Sequence, residues 1–161
     1  MRNQDETHLE SMSSTNHPVS WPASLKGEVI TLVDLFFQLL DSKSPQAGSQ
    51  LVQDVFTEDG KFFSSSGYFQ GQDIALSREG IWEAFEIRSH ELRKIYLNDA
   101  NGQDLDLLIV GGAVIKPHGG KATALEFIGR AVVQDTIKGP RIRYYQPIVP
   151  NSAEQPILAN V

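Results

Sequence analysis

Apolar residues along this chain follow two different periods, and the change comes near residue 90. From Leu25, the positions Val29, Leu32, Val33, Phe36, Leu39 and Leu40 recur at three- and four-residue steps, which is the spacing of one helix face. Ile30, Leu35 and Phe37 widen that face until little polar surface is left, so this helix must be covered on most sides. Trp21-Pro22 opens it, with Ser24 as a candidate cap, and Asp41-Ser42-Lys43-Ser44-Pro45 ends it. Gln46 to Phe56 predicts a shorter second helix, followed by turn chemistry at Thr57-Glu58-Asp59-Gly60. Short strands follow at Lys61 to Ser64 and Tyr68 to Gln70. Gly71-Gln72-Asp73 then leads into a third helix with Ile74, Ile81, Trp82 and Phe85 inward and Gly80 weakening its middle.

After His90 the pattern turns extended. Leu92 to Leu97, Asp104 to Lys116, Ala122 to Asp135 and Arg141 to Val149 are four candidate strands, separated by turns rich in Gly, Pro and Asn. Long strands joined by hairpins bend strongly, and helices that precede them pack on the concave side. The predicted class is α+β: helices on the concave face of a strongly bent antiparallel sheet, enclosing one apolar pocket. One domain over residues 21–150 is expected, between a disordered polar tail at 1–20, which holds His8 and His17, and an irregular tail at 151–161.

Composition narrows the function. The chain has no cysteine, which removes disulfides, thiol nucleophiles and thiolate metal sites, and with no apolar leader it suggests a cytoplasmic protein. Fourteen basic residues against twenty acidic ones, scattered along the chain, argue against a nucleic-acid partner. The longest apolar run is interrupted by Asp34 and Gln38, so no membrane span is expected. Asp104 and Asp106 share a strand face but sit beside Asp99, Asn101 and Gly102, and are read as a solvated hairpin end instead of a metal site. No cofactor motif is present, and neither metal nor cofactor is expected.

The order of helices, Phe56-Thr57-Glu58-Asp59-Gly60, short strands, Gly71-x-x-Ile74 and long strands resembles the NTF2-like superfamily, in particular its SnoaL-like branch. Phe127-Ile128-Gly129-Arg130-Ala131 is similar to the family's penultimate strand, and Gly139-Pro140-Arg141-Ile142-Arg143-Tyr144-Tyr145-Gln146 to its last. The resemblance implies a cone that holds a small hydrophobic molecule, in a family of isomerases, dehydratases, cyclases and epoxide hydrolases. It also implies that the isomerase's general base would fall at Ser64, which cannot take a proton unaided, and that the epoxide hydrolase's last-strand Asp would fall near Pro147. Both of those reactions lose support. His90 is placed like the catalytic histidine of scytalone dehydratase, just before the first long strand.

His90 is therefore the leading candidate, since imidazole can accept and return a proton. The bland alternative is a histidine that only bonds backbone. Glu126 and Arg130 lie four apart in one strand, about 13 Å between α-carbons, on one face with Ile128 and Val132. If that face lines the cone, Glu126 is desolvated and can move a proton while Arg130 polarises an oxygen; if it faces out, both are solvated. Tyr144 and Gln146 share a face with Ile142 and Ile148 and are expected to bind substrate, Tyr145 then pointing away. Ser64, Tyr68, Phe36 and Trp82 complete the expected lining. Two functional readings stay open. One is a cofactor-independent isomerase, cyclase or dehydratase acting on a polyketide- or terpenoid-like metabolite. The other is a non-catalytic ligand-binding or dimerisation module. In either case the apolar residues on both faces of the long strands predict a homodimer through the sheet.

Overall fold

The computed structural model describes residues 18–98 and 104–148. The first expected tail up to residue 17, the whole of the second at 151–161, residues 149–150 and most of the Asn98 to Gly102 turn lie outside the described residues. Residues 18–20 belong with the fold and not with a tail: the Ser20 amide donates to the Arg93 carbonyl at 2.9 Å, and the Ile95 amide returns a bond to Ser20 at 3.0 Å.

The predicted long helix is α1 (Gly27–Asp41), and its buried residues are Val29, Leu32, Val33, Phe36, Phe37, Leu39 and Leu40. A short α2 (Ala47–Gln50) and a wide turn at Leu51–Val55 replace the single second helix. Six strands follow: β1 (Phe56–Ser64), β2 (Gly67–Gln70), β3 (Phe85–Asn98), β4 (Leu105–Pro117), β5 (Thr123–Thr136) and β6 (Gly139–Ile148). They form one open sheet in the order β2-β1-β6-β5-β4-β3. The sheet is mixed, because β1 runs parallel to β6, where an antiparallel sheet was expected.

Three local features depart from the sequence pattern. The turn chemistry of Thr57 to Gly60 sits inside β1, where the five steps from Phe56 to Lys61 face only the two from Ile142 to Tyr144. Thr57 Oγ1 donates to Asp59 Oδ1 at 3.0 Å and holds this bulged stretch. The third helix divides at Gly80, whose φ of 70° belongs to the left-handed region, into a 3₁₀ segment (Gly71–Arg78) and α3 (Ile81–Ala84). The first long strand begins at Phe85, so His90 lies within β3, opposite Ala113, and not ahead of it.

The core forms between α1 and the inner sheet face. Phe36 is fully buried at its centre, with edge-on ring contacts to Phe37, Phe56, Phe62 and Tyr145 at 4.7 to 5.8 Å. Each such pair contributes about 0.5–1.5 kcal/mol beyond its area. Leu92, Ile95, Leu107, Ile109, Ala131, Val133 and Ile142 close the core from the sheet. A second small cluster, Ile81, Phe85, Ile115 and Leu125, lies toward the other end.

Candidate active site

Beyond Phe62 the core opens into a cavity of about 300 Å³. Its apolar wall includes Leu40, Phe62, Ile115, Leu125 and Phe127. Two rings that bound it rest on bare backbone. A Cβ on Gly111 would lie 2.7 Å from the Phe127 ring, and one on Gly129 would lie 2.5 Å from the Tyr145 hydroxyl. Both contacts are too short for any side chain, so glycine at these two positions makes the room that the rings occupy.

The polar lining comes from unexpected places. Along β3, cross-strand pairing sets Arg88 opposite Ile115 and His90 opposite Ala113, and all four line the cavity. His90 Nδ1 meets Asp41 Oδ1 at 2.6 Å, and the His90 amide donates to Asp41 Oδ2 at 2.8 Å. A carboxylate oxygen only accepts, so Nδ1 carries a proton, and in the uncharged ring the lone pair is on Nε2. The imidazole is also fixed from its sides, 5.4 Å from both Phe37 and Phe127. Its side chain is 15 % exposed and that of Asp41 is 23 % exposed, which makes this a sheltered pair and not a surface one.

Two arginines share the cavity. The Arg78 Nη1 donates to the Leu40 carbonyl at 3.2 Å, and the Arg88 Nη1 to Ser65 Oγ at 3.3 Å. Burial draws the Arg78 pKa down to about 10, with the positive charge of Arg88 adding to the effect and Asp41 partly offsetting it. Burial lowers Arg88 too, again opposed by Asp41. The Tyr145 phenol is pushed upward by burial and remains a neutral donor.

These groups meet because the end of α1 is tethered at consecutive residues. The Leu40 carbonyl accepts from Arg78, the Asp41 carboxylate from His90, and the Ser42 carbonyl from Trp82 Nε1 at 2.8 Å. The last carbonyls of a helix need partners, and here side chains of the 3₁₀ segment and α3 supply them.

Of the residues expected from sequence, His90 and Ser64 line the cavity. Glu126 borders it, but its carboxylate is 83 % exposed and bonds Arg93 at 3.0 Å on the outer face. The desolvation expected for it is therefore absent. Arg130 is outside the cavity, in a two-point ion pair with Asp106 at 2.9 and 3.0 Å. The faces of β5 are opposite to the reading that favoured Glu126 and Arg130, since Leu125, Phe127, Gly129 and Ala131 point inward. On β6 a register shift opposite Val132 and Val133 changes the alternation after Ile142. Tyr145 accordingly enters the core, while the Tyr144 hydroxyl donates to Gln146 Oε1 outside, so the expected orientations of Tyr144 and Tyr145 are exchanged. Gln146 still borders the cavity mouth. Tyr68 is exposed and bonds Gln70, Phe36 is in the core behind the cavity, and Trp82 serves the end of α1.

Sequence reasoning missed Asp41, Arg78, Arg88 and Tyr145. A signal for Asp41 existed: an acid in the last turn of a helix opposes the helix dipole and calls for a partner. Starting β3 at Phe85 would have set Arg88 and His90 on one face. The described residues include no cluster of metal-ligating side chains and no helix long and apolar enough to cross a membrane.

The architecture can be compared with solved structures. An NTF2-like superfamily protein from Salmonella enterica superposes with a TM-score of 0.63 at 16 % identity, covering 78 % of this chain and 91 % of that one. The fold is NTF2-like. A scytalone dehydratase-like protein from Novosphingobium aromaticivorans shares this NTF2-like architecture with a TM-score of 0.61 at 14 % identity, over 89 % of this chain and 87 % of its own. A hexachlorocyclohexane dehydrochlorinase from Novosphingobium barchaimii gives 0.63 at 10 % identity, over 90 % of each chain. At these identities the likeness is one of fold. By sequence, the chain matches no family model and no curated protein.

Proposed function

We propose that this NTF2-like protein is a cofactor-independent lyase or isomerase that abstracts a proton from carbon in a small, largely apolar substrate. The observation that carries the reading is His90: it lines an apolar cavity while Asp41 holds its other ring nitrogen at 2.6 Å. That arrangement is a general base with its tautomer set. His90 Nε2 takes a proton from the carbon beside a carbonyl, and Asp41 stabilises the imidazolium that forms. Negative charge then collects on the carbonyl oxygen, where the neutral Tyr145 phenol and Arg88 are the donors at hand. The imidazolium then gives its proton back: to a β-hydroxyl that leaves as water, which is dehydration, to another carbon, which is isomerisation, or to the alkoxide formed when the enolate attacks a second carbonyl, which is cyclisation. Polyketide- and terpenoid-like metabolites carry these functions on bodies that suit a 300 Å³ apolar cavity. Dehydratase- and dehydrochlorinase-type neighbours of the same fold support an elimination.

The test is a panel of cyclic β-hydroxyketones and β,γ-unsaturated ketones, followed by the ultraviolet absorbance of the conjugated product, with wild type and His90→Asn. The variant is expected to lose about 10²–10⁴ of the rate for any ketone that the wild type turns over. Equal rates in the two proteins would remove His90 as the base, and no turnover of any ketone by the wild type would leave a ligand-binding module as the reading.

The outer sheet face supports a homodimer. Leu108, Val110 and Ile128 lie half-buried there, and Tyr96 and Ile148 are 47 % and 45 % exposed. Sedimentation equilibrium should give twice the chain mass of 17.8 kDa, and a monomer at micromolar concentration would refute the pairing.

A further inference from the structure

We infer that the cavity recognises a carboxylate, held between Arg78 and Arg88, on a substrate whose apolar body lies against Leu125, Ile115 and Phe127. The inference rests on the proposal that this cavity is the substrate site, and it names the class of substrate: an organic acid.

The cavity holds more positive charge than its own acids offset. Arg78 ends the 3₁₀ segment and Arg88 lies in β3, and both line the cavity. Among the described residues, no carboxylate oxygen comes within the 4.0 Å of a salt bridge to either guanidinium. Asp41 is the acid whose charge reaches both, but His90 already engages its two oxygens. Glu126 is turned outward to Arg93. With His90 neutral, two cations thus share one carboxylate, and the cavity holds an excess of one positive charge.

A buried cation is costly unless something pairs with it. Here the pairing inside the protein is incomplete in a specific place. Arg88 Nε is fully buried and has no hydrogen-bond partner among the described residues. Its neighbour Nη1 reaches only Ser65 Oγ, at the long distance of 3.3 Å. The guanidinium carbon of Arg88 lies 5.1 Å from the Phe85 ring centroid, and that of Arg78 lies 5.9 Å from the Phe62 ring centroid. Arg78 spends Nε on Ser77 Oγ at 3.4 Å and Nη1 on the Leu40 carbonyl, so each guanidinium keeps an Nη2 with no hydrogen bond among the described residues, and a planar carboxylate can accept one charge-assisted bond from each on its two oxygens. The rest of the wall is apolar, so the acid would bind with its charge at the arginines and its body across the cavity.

Isothermal titration calorimetry on the full chain at neutral pH tests this with trans-cinnamate, 2-naphthoate and 3-phenylpropionate, each against its neutral amide. The acids are expected to bind about tenfold or more tightly than the amides, the scale of one charge-assisted pair. Arg88→Met should abolish that preference and Arg88→Lys should restore part of it, with circular dichroism confirming that both variants are folded. His90→Asn should keep the preference while losing turnover. The inference is overturned if no acid outbinds its amide, if the preference survives in Arg88→Met, or if phenylphosphonate binds more tightly than every carboxylate. Loss of turnover in His90→Asn with no acid preference would sink this inference alone. Acid preference through Arg88 with turnover kept in His90→Asn would sink the proton-transfer reading alone.

Discussion

Replacing Asp41 with Asn changes one oxygen to an amide nitrogen, and the geometry leaves that nitrogen no good place. Asp41 accepts two hydrogen bonds from the same residue, one from the His90 ring at 2.6 Å and one from the His90 amide at 2.8 Å. Asn has a single acceptor oxygen. If that oxygen takes the ring N–H, its NH₂ is pressed against the backbone N–H. If it takes the backbone N–H, the NH₂ must donate to Nδ1, which moves the ring proton to Nε2 and removes the lone pair proposed as the base. In the first case one hydrogen bond to a charged group is lost and in the second both become neutral, a cost of about 1.5–3 kcal/mol, and the two arginines lose the countercharge of Asp41 as well. The expected destabilisation is about 2–4 kcal/mol, read as a lower midpoint in urea with an unchanged slope. On a chain of this size it corresponds to a fall in Tm of about 5–15 °C. Turnover should fall by about 10²–10⁴. Adding Arg88→Met should recover part of the stability, since it removes a buried cation that Asp41 had been offsetting. A loss below about 0.5 kcal/mol for Asp41→Asn, or full additivity with Arg88→Met, would refute the coupling between the dyad and the arginines.

The Asp106–Arg130 pair should behave differently, because it is on the outer face. The hydrogen bond from Arg130 holds the Asp106 carboxyl below its ordinary value of 3.8. A lowered folded pKa contributes stability that is present above the unfolded value and lost as pH falls through the folded one. Asp106→Asn should therefore cost about 0.5–1 kcal/mol at pH 7 and progressively less as the pH falls below 3.8, by urea denaturation, with no change in turnover. A cost independent of pH would show that the ion pair is not its source.

Much of the fold is legible in the sequence because burial and periodicity agree where both faces of an element have settled roles. Helix α1 is the clearest case: the seven residues buried on it are those that the three- and four-residue spacing, with Phe37 on its flank, marks. The long strands are legible for the same reason. The site is not, because its residues break the rule that makes sequence readable. Arg88 and His90 take inward positions of β3 that apolar residues usually occupy, so the hydrophobic pattern starts the strand only after them. On β6 a single register shift exchanges Tyr144 and Tyr145, a change that alternation cannot foresee. Glu126 misleads for the converse reason, standing among apolar neighbours yet pointing out. The family resemblance points to His90, and only the 2.6 Å between them brings in Asp41.

The fastening of α1 at Leu40, Asp41 and Ser42 has a consequence for how this protein can fail. The bonds that join Asp41 to His90 sit between those that cap the carbonyls of Leu40 and Ser42, so loosening of the helix end would also disturb the proposed proton transfer. The contact from Trp82 to Ser42 lies away from the cavity, yet a substitution there would register first as scatter in the alignment of His90, well before the molecule melts. Conversely, an acid drawing on Arg78 pulls on the carbonyl next to Asp41. Occupancy would stiffen the base's own support, and the protein would be most orderly when it is loaded.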